Sequence, residues 1–279
     1  MKQATTQSTS RLSQHLMIHW TAYAWRYGGI VMALLLAGMS LWRNWLGLVF
    51  LATALLLFVT YALIAGIWGA QRLYGATGLH PNKTLLMLSQ INANGAVACI
   101  DLGLKQQALA IAAQLVSGKL YVLDIYNPQW NTGKSLQRAR GYAPITVTDP
   151  RITWYDSPLN LLPLPNNSVT AVFLPQILSE FNQHGDRETL LREIRRILKP
   201  NGRLLFSERM TTHTNWLTLA PGITRMQSAD YWQALLEKVG FEMRREEDLQ
   251  GLISCWRADK PSPYAGRQLA FDLPLLPYE

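Results

Sequence analysis

Hydrophobic residues are concentrated in two long runs in the first quarter of the chain. Gly28 to Trp42 is almost uninterrupted in apolar character, and Trp45 to Trp68 is a second run that is apolar on every helical face. At 1.5 Å per residue the second run is about 36 Å long, enough to cross a bilayer core with some tilt. Only Arg43 and Asn44 separate the two runs. The pattern therefore predicts a transmembrane helical hairpin over residues 27–70 (helices at about 27–42 and 45–68); the alternatives are a buried hairpin of a soluble protein or a shallow re-entrant hairpin.

Beyond residue 95 the pattern changes to short apolar runs that alternate with helical segments. The predicted strands are Ala96–Ile100, Lys119–Asp124, Arg151–Tyr155, Val169–Leu174, Gly202–Ser207, Glu242–Glu247 and Leu252–Arg257. The predicted helices are Lys105–Val116, Ser135–Arg140, Arg187–Leu198 with Asp186 as N-cap, and Ala229–Val239 capped by Ser228. This alternation predicts an α/β domain over residues 95–260, built on a doubly wound, mostly parallel sheet.

Three further segments complete the predicted organisation. Residues 1–26 begin with a tail rich in Ser, Thr and Gln and continue, from His15, into an aromatic segment suited to a membrane interface. Residues 71–94 are predicted to be a connector that contains one short helix. Residues 261–279 include four prolines, which predict an extended C-terminal tail.

Positive charge is concentrated in the apolar part of the chain. No Asp or Glu precedes Asp101, whereas six Lys or Arg residues do, so the first hundred residues contribute +6 of the formal net charge of +8. Basic residues that flank apolar segments favour an anionic membrane face over nucleic acid as the partner. They are fewer in the hairpin turn, at Arg43, than at the hairpin ends. This asymmetry predicts that the α/β domain faces the cytoplasm, from a bacterial inner membrane.

The two cysteines are interpreted as structural. Cys99 and Cys255 both fall in predicted strands, which favours buried, reduced thiols. No group of Cys and His residues has metal-ligand spacing, so no metal site is predicted.

Two acidic residues mark the predicted functional site. The stretch from Val97 to Ala112 reads as a buried strand, a tight turn with Asp101 and Gly103, and a helix. The next strand ends on Asp124, where a carboxylate is placed to accept hydrogen bonds from a ribose diol. Together these features predict a nucleotide-type site at the carboxyl edge of the sheet.

Further motifs make the chain similar to a known family. Leu191–Glu208 contains a helix, a Lys-Pro-Asn-Gly turn and a strand, and Leu162–Val172 leads into the fourth strand. With the two acids, these stretches resemble the class I S-adenosylmethionine (SAM)-dependent methyltransferases over residues 96–259. The segment Asp124–Ser135 resembles a subgroup with an N-terminal membrane anchor. The resemblance implies a seven-stranded sheet with an antiparallel last strand, and SAM as cofactor.

The resemblance also implies the roles of particular residues. In the family the turn after the first strand carries three glycines; here the second and third are replaced by Lys105 and Gln107. Lys105 either adds bulk beside the cofactor or meets its carboxylate. The loop after the fourth strand faces the cofactor's methyl group in the family, and there Glu180 and His184 are the candidate general bases. The cofactor-binding residues implied are Asp101, Gly103, Lys105, Asp124, Ile125 and Asp156.

The function predicted from these features is that of a membrane-anchored, SAM-dependent methyltransferase. Its expected substrate is an amphiphilic or membrane-partitioned small molecule such as a lipid, a quinone-like compound or a thiol. Residues 209–227 have the length of a lid, and Trp216, Leu217, Leu219 and Ile223 are candidates to line an apolar substrate site. The alternative is a catalytically inactive methyltransferase-fold module that is tethered to the membrane. Membrane lipids and a further protein are expected partners, and nucleic acid is not.

Overall fold

A helical hairpin precedes the α/β domain. The computed structural model describes residues 12–91, 94–131, 133–143, 149–219 and 226–263. Residues 12–18 are helical (α1), and the hairpin consists of α2 (Trp20–Trp42) and α3 (Leu46–Tyr74), which pack against each other. Both hairpin helices are long and apolar enough to cross a membrane, and only 11 % of the most apolar window of each is buried. The predicted hairpin is thus present as two candidate spans.

Both helices are longer than the hydrophobic pattern predicts. The first begins at Trp20 instead of residue 27, because no proline interrupts the aromatic segment before the apolar run. The second continues past residue 68 to Tyr74, so its last turns occupy the start of the predicted connector. These turns are buried by the domain at Gly66, Gly69, Ala70 and Leu73. Tertiary packing therefore extends α3 beyond its apolar run.

The domain contains a seven-stranded sheet in the order β3-β2-β1-β4-β5-β7-β6. Its strands are β1 (Ala96–Asp101), β2 (Lys119–Asp124), β3 (Ile152–Asp156), β4 (Val169–Pro175), β5 (Leu198–Glu208), β6 (Glu242–Leu249) and β7 (Ile253–Asp259). The first five strands are parallel, and β7 runs antiparallel to both β5 and β6. The predicted doubly wound α/β sheet with an antiparallel last strand is confirmed.

Helices cover both faces of the sheet. They are α4 (Pro81–Ser89), α5 (Gln106–Ala112), α6 (Lys134–Gly141), α7 (His184–Ile197), α8 (His213–Leu219) and α9 (Ala229–Val239). One core cluster joins α4, α5 and the end of α3 to the sheet and includes Leu73 and Ile111. The other joins α6, α7 and α9 and includes Leu190 and Trp232. Cys99 and Cys255 are buried free thiols, as predicted.

Three predicted element bounds are wrong. Helix α5 ends at Ala112 instead of Val116, because the next residues close i to i+3 turns, such as Leu115 N–H to the Ala112 carbonyl. Helix α7 begins at His184 with Gln183 as N-cap, so Asp186 lies within the first turn, where its charge complements the helix dipole. Strand β5 begins at Leu198 instead of Gly202, since its range includes the Lys-Pro-Asn-Gly turn.

Candidate functional site

The turn after β1 is organised around the buried carboxylate of Asp101. One carboxylate oxygen, Oδ1, accepts the backbone N–H groups of Leu102 (2.8 Å) and Leu104 (3.1 Å), and Oδ2 accepts that of Lys105 (2.7 Å). Burial raises the pKa of Asp101, and these three hydrogen bonds oppose the shift. Because the carboxylate is occupied by the turn, Asp101 shapes the site and leaves ligand contacts to its neighbours.

The same turn keeps a left-handed backbone at two positions. Gly103 has φ +79°, and Lys105 has φ +62°. A left-handed conformation costs a residue with a Cβ about 1–2 kcal/mol relative to the right-handed one. The lysine thus adopts backbone geometry that favours glycine and adds a side chain, whose Nζ lies 5.5 Å from the centroid of the Trp154 ring.

An ion pair lies across the mouth of this turn. The Arg140 guanidinium, through Nη1, is 2.9 Å and 3.1 Å from the two Asp124 carboxylate oxygens, and it donates to the Leu102 carbonyl at 2.6 Å. It also stacks on Tyr126, with Cζ 3.9 Å from the ring centroid. A side chain at Gly103 would overlap this guanidinium. Arg140 therefore occupies the space that glycine leaves open above the turn.

These residues surround a cavity of about 450 Å³ at the carboxyl edge of the sheet. Asp124 and Asp156 are register partners at the ends of β2 and β3. The lining consists of Asp101, Gly103, Lys105, Asp124, Arg140, Gly141, Ala143, Trp154, Tyr155 and Asp156. Two carboxylates of neighbouring strands, two basic side chains and an indole thus surround a space of the size that small-molecule ligands occupy.

Five of the six predicted cofactor-binding residues line this cavity. The sixth, Ile125, has a buried side chain outside the lining, and its N–H donates to the Asp101 carbonyl at 3.0 Å. The two candidate bases are also outside the lining: Glu180 is exposed in a 3-10 turn (Leu178–Glu180). The other, His184, starts α7, with Nδ1 2.8 Å from the Tyr231 hydroxyl oxygen. Their catalytic assignment stays a prediction.

Two buried charged residues, which sequence reasoning did not identify, hold the loop after β4. Glu208, at the end of β5, accepts the N–H groups of Leu178 (2.7 Å) and Ser179 (3.3 Å). Arg187, on α7, donates from Nε to the carbonyls of Leu178 (3.1 Å) and Phe181 (2.9 Å). The peptide groups of this loop are thus satisfied from both sides. The loop lies at the same edge of the sheet as the cavity, so its conformation is fixed by side chains distant in sequence.

The buried carboxyl of Glu208 is the most strongly perturbed acid at this edge. Burial raises the pKa of Glu208 to about 7, the two backbone N–H groups oppose the shift, and the charge of Glu180 adds to it. The second oxygen, Oε2, has no hydrogen-bond partner among the described residues. Near neutral pH this carboxyl therefore exchanges between its protonated and ionised forms.

The segment before the apolar hairpin touches the rim of the cavity. The Gln14 side chain donates to the Tyr142 carbonyl (3.5 Å) and accepts from the side chain of Gln106 (3.3 Å). Further along, the Arg138 guanidinium on α6 donates to the Thr21 hydroxyl at 3.1 Å. The same stretch of chain that leads into α2 thus covers α5 and α6, which flank the cavity.

Comparison with known proteins agrees with this architecture. Residues 99–206 match the family model of a methyltransferase domain. This part of the chain forms a class I methyltransferase domain. No curated protein sequence matches the chain.

Solved structures show the same fold. A SAM-dependent methyltransferase from Aquifex aeolicus is 18 % identical, with a TM-score of 0.50 over 65 % of this chain and 89 % of that one. A putative methyltransferase from Bacillus halodurans is 13 % identical, with a TM-score of 0.47 over 65 % and 99 %. A complex between the Haloferax volcanii Trm112 methyltransferase activator and a putative methyltransferase gives 16 % identity and a TM-score of 0.49 over 65 % and 89 %. At these identities the likeness concerns the fold.

SAM is the cofactor of class I methyltransferase domains, and the residues of the cavity fit it. Asp124, at the end of β2, has the carboxylate that a ribose diol requires, and Asp156 lies beside it at the end of β3. The open space above Gly103 suits close approach of a ligand to the backbone. The Arg140 guanidinium lies in that space and on Asp124, so ligand binding at Asp124 requires this flexible, partly exposed side chain to move.

We expect the Arg140→Gln variant to bind SAM about fivefold more tightly than the unmodified protein. The substitution frees the Asp124 carboxylate from an ion pair worth up to about 1 kcal/mol when partly exposed. Calorimetric titration of SAM into the detergent-solubilised full chain measures the change. Arg192→Gln is the matched control, because Arg192 also pairs with a carboxylate but lies on the exposed face of α7. A weaker affinity in Arg140→Gln would show instead that the guanidinium contacts the ligand.

Proposed function

We propose that this protein is a membrane-anchored, SAM-dependent methyltransferase whose substrate is an amphiphilic or membrane-partitioned small molecule. The observation that carries the proposal is the continuity between the rim of the cavity and the apolar hairpin. Gln14 and Thr21, which lie directly before or at the start of α2, contact α5 and α6 beside the cavity. A cofactor site coupled in this way to candidate spans is suited to substrates that partition into a bilayer.

An apolar cavity beside the domain supports the substrate class. It has a volume of about 400 Å³ and lies between α3 and α8, the helix that follows β5. Its lining is Tyr61, Ile64, Ala65, Trp68, Thr214, Leu217 and Thr218. Leu217, a predicted substrate-site residue, is among these, whereas Trp216 is outside the lining and 60 % exposed. Ile223 lies outside the described residues, as does the side chain of Leu219.

Exposed aromatic side chains support the membrane anchor. Trp25 and Trp42, toward the two ends of α2, are 84 % and 81 % exposed. Trp and Tyr at helix ends are typical of membrane–water interfaces, where the ring is apolar and its edge is polar. Basic residues are more numerous at the chain-terminal end of the hairpin than at its turn, which favours a cytoplasmic domain.

Bound SAM supplies an electrophilic methyl group on a sulfonium. The chain's own contribution is positional: the turn at Asp101 and the carboxylate of Asp124 orient a ligand, while Glu208 and Arg187 fix the loop after β4. Methyl transfer requires chiefly in-line placement of the acceptor, so rigid walls contribute more than a particular base. This agrees with the position of Glu180 and His184 outside the lining.

One observation favours the alternative of an inactive, membrane-tethered module. Arg140 pairs with Asp124 and occupies the space above Gly103, and Lys105 replaces a glycine of the family's turn. An ion pair of this kind stabilises a site that has lost its ligand. The two functions differ in whether SAM binds.

Calorimetric titration of SAM, and of its demethylated product S-adenosylhomocysteine, into the full chain in detergent tests the proposal. We expect micromolar dissociation constants for both. A second arm incubates the protein with methyl-labelled SAM and a membrane lipid extract, and measures label in the organic phase. Pelleting with membranes after alkaline extraction tests the anchor separately. No heat and no thermal stabilisation up to millimolar SAM, in folded protein, would leave the inactive module as the function.

A further inference from the structure

Three arginines from three separate elements converge where α2 leaves the domain. Arg138, on α6, donates to Thr21 and lies with Cζ 5.7 Å from the centroid of the Trp20 ring. Arg26, on α2, lies 5.8 Å from the Tyr23 ring centroid and fills the space above Gly66 of α3. Arg209 directly follows β5. We call the three guanidiniums, with His15 and His19, the basic cluster.

The two histidines of the cluster are packed against each other and against the end of α3. Their ring centroids are 4.5 Å apart, and that of His15 is 4.7 Å from the centroid of Tyr74. Burial lowers the pKa of His15 to about 3 and that of His19 to about 4. The charge of Arg209 lowers both further, and that of Arg138 acts on His19. At neutral pH the imidazoles are therefore neutral hydrogen-bonding groups, and the cluster's charge resides on the arginines.

The charge of the cluster is not neutralised within the described part of the chain. No carboxylate there lies within 4 Å of Arg26, Arg138 or Arg209, whereas Arg140, Arg151, Arg192, Arg196, Arg244 and Arg257 each have an acidic partner. The Nε of Arg138 is buried and has no hydrogen-bond partner among the described residues. Desolvated cations without partners are costly, so the site is prepared for an anion.

We propose that the basic cluster binds the phosphate of an anionic phospholipid headgroup beside the cofactor cavity. Planar guanidiniums are suited to phosphate oxygens, and neutral imidazoles donate further hydrogen bonds. The cluster lies at the chain-terminal ends of both candidate spans, which is the depth of the headgroup layer. Arg138 is two residues from Arg140, so a bound headgroup is adjacent to the cavity wall. This inference rests on the membrane attachment in the proposed function, and narrows the substrate class to anionic phospholipids.

The test is a titration of soluble short-chain lipid into the full chain in an uncharged detergent, without SAM. The probes are dihexanoylphosphatidylglycerol, its zwitterionic phosphatidylcholine counterpart, and inorganic phosphate. We expect the anionic lipid to bind at least tenfold more tightly than either of the others. In Arg209→Gln and Arg138→Gln the affinity for the anionic lipid should fall by about tenfold, and Arg209→Lys should retain most of it.

Arg43→Gln is the matched control, since it removes an equal charge at the hairpin turn, where Arg43 stacks on Trp42. Unchanged affinity in this variant is expected. Equal binding of the two lipids, or an equal loss in Arg43→Gln and Arg209→Gln, would overturn the proposal. Binding of inorganic phosphate as tight as that of the anionic lipid would overturn the assignment to a lipid. Because the titration contains no SAM, its failure leaves the methyltransferase proposal intact, and a failure of SAM binding leaves the lipid result intact.

Discussion

Replacement of Asp124 with alanine is expected to weaken SAM binding by about 30-fold or more, which corresponds to about 2 kcal/mol. The carboxylate lies at the end of β2, beside Asp156 and on the wall of the 450 Å³ cavity. A carboxylate that accepts two hydroxyl groups makes charge-assisted hydrogen bonds, and alanine removes both acceptors. Calorimetry with SAM and the full chain measures the loss.

The control for Asp124→Ala is Asp149→Ala. Asp149 also pairs with an arginine, Arg151, at 2.6 Å, but it lies outside the cavity lining. Its loss is expected to leave the affinity for SAM unchanged, and thermal unfolding establishes that both variants are folded. Equal affinity of Asp124→Ala and the unmodified protein would exclude the ribose-binding role of Asp124. It would also place the ligand elsewhere than at the carboxyl end of β2.

The second prediction concerns the pH dependence of stability. Burial raises the folded-state pKa of Glu208 to about 7, above its model value of 4.5. Between these values the folded state binds the proton more strongly than the unfolded state, so stability falls as the pH rises from about 4.5 to 7. The difference of about 2.5 pKa units corresponds to about 3 kcal/mol of unfolding free energy. Glu208→Gln, which stays neutral, should abolish this part of the dependence.

Urea unfolding of the domain in mild detergent, at pH 5 and at pH 7.5, measures this difference. Glu188→Gln is the control, because Lys238 and Arg192 lower the pKa of Glu188 to about 2, and its carboxylate stays ionised throughout this range. Parallel pH profiles for Glu208→Gln and the unmodified protein would contradict the assignment. Glu208→Ala should be less stable than Glu208→Gln at both pH values, since it leaves the Leu178 and Ser179 N–H groups without their acceptor.

Local patterning was sufficient to predict most of the fold. Buried parallel strands are nearly continuous apolar runs, and β1, β2 and β4 each end on a polar or turn-forming residue that marks the edge of the sheet. The carboxyl-end positions of Asp101, Asp124 and Asp156 follow directly from this rule. The ends of α3 and α5 do not, because they depend on packing against the domain and on turn closure.

The parts of the site that sequence reasoning missed depend on tertiary contacts. Arg140 is 16 residues from Asp124, and only the packing of α6 directs it to that carboxylate. Glu208 reads as the last residue of a strand, and its burial arises when the loop after β4 folds over it. His184 reads as a loop residue available for catalysis, but it starts α7 and bonds to Tyr231. A hydrogen bond that fixes a side chain is not encoded in local spacing.

Helix α3 has a mechanical consequence for the proposed enzyme. Its 29 residues form one unbroken helix of about 43 Å, and its last turns are buried in the domain at Gly69, Ala70 and Leu73. A helix that belongs both to the bilayer and to the domain core acts as a rigid ruler without a hinge. The cavity is then held at a constant height and orientation above the membrane, and the search for substrate is reduced from three dimensions to a single plane of lateral diffusion.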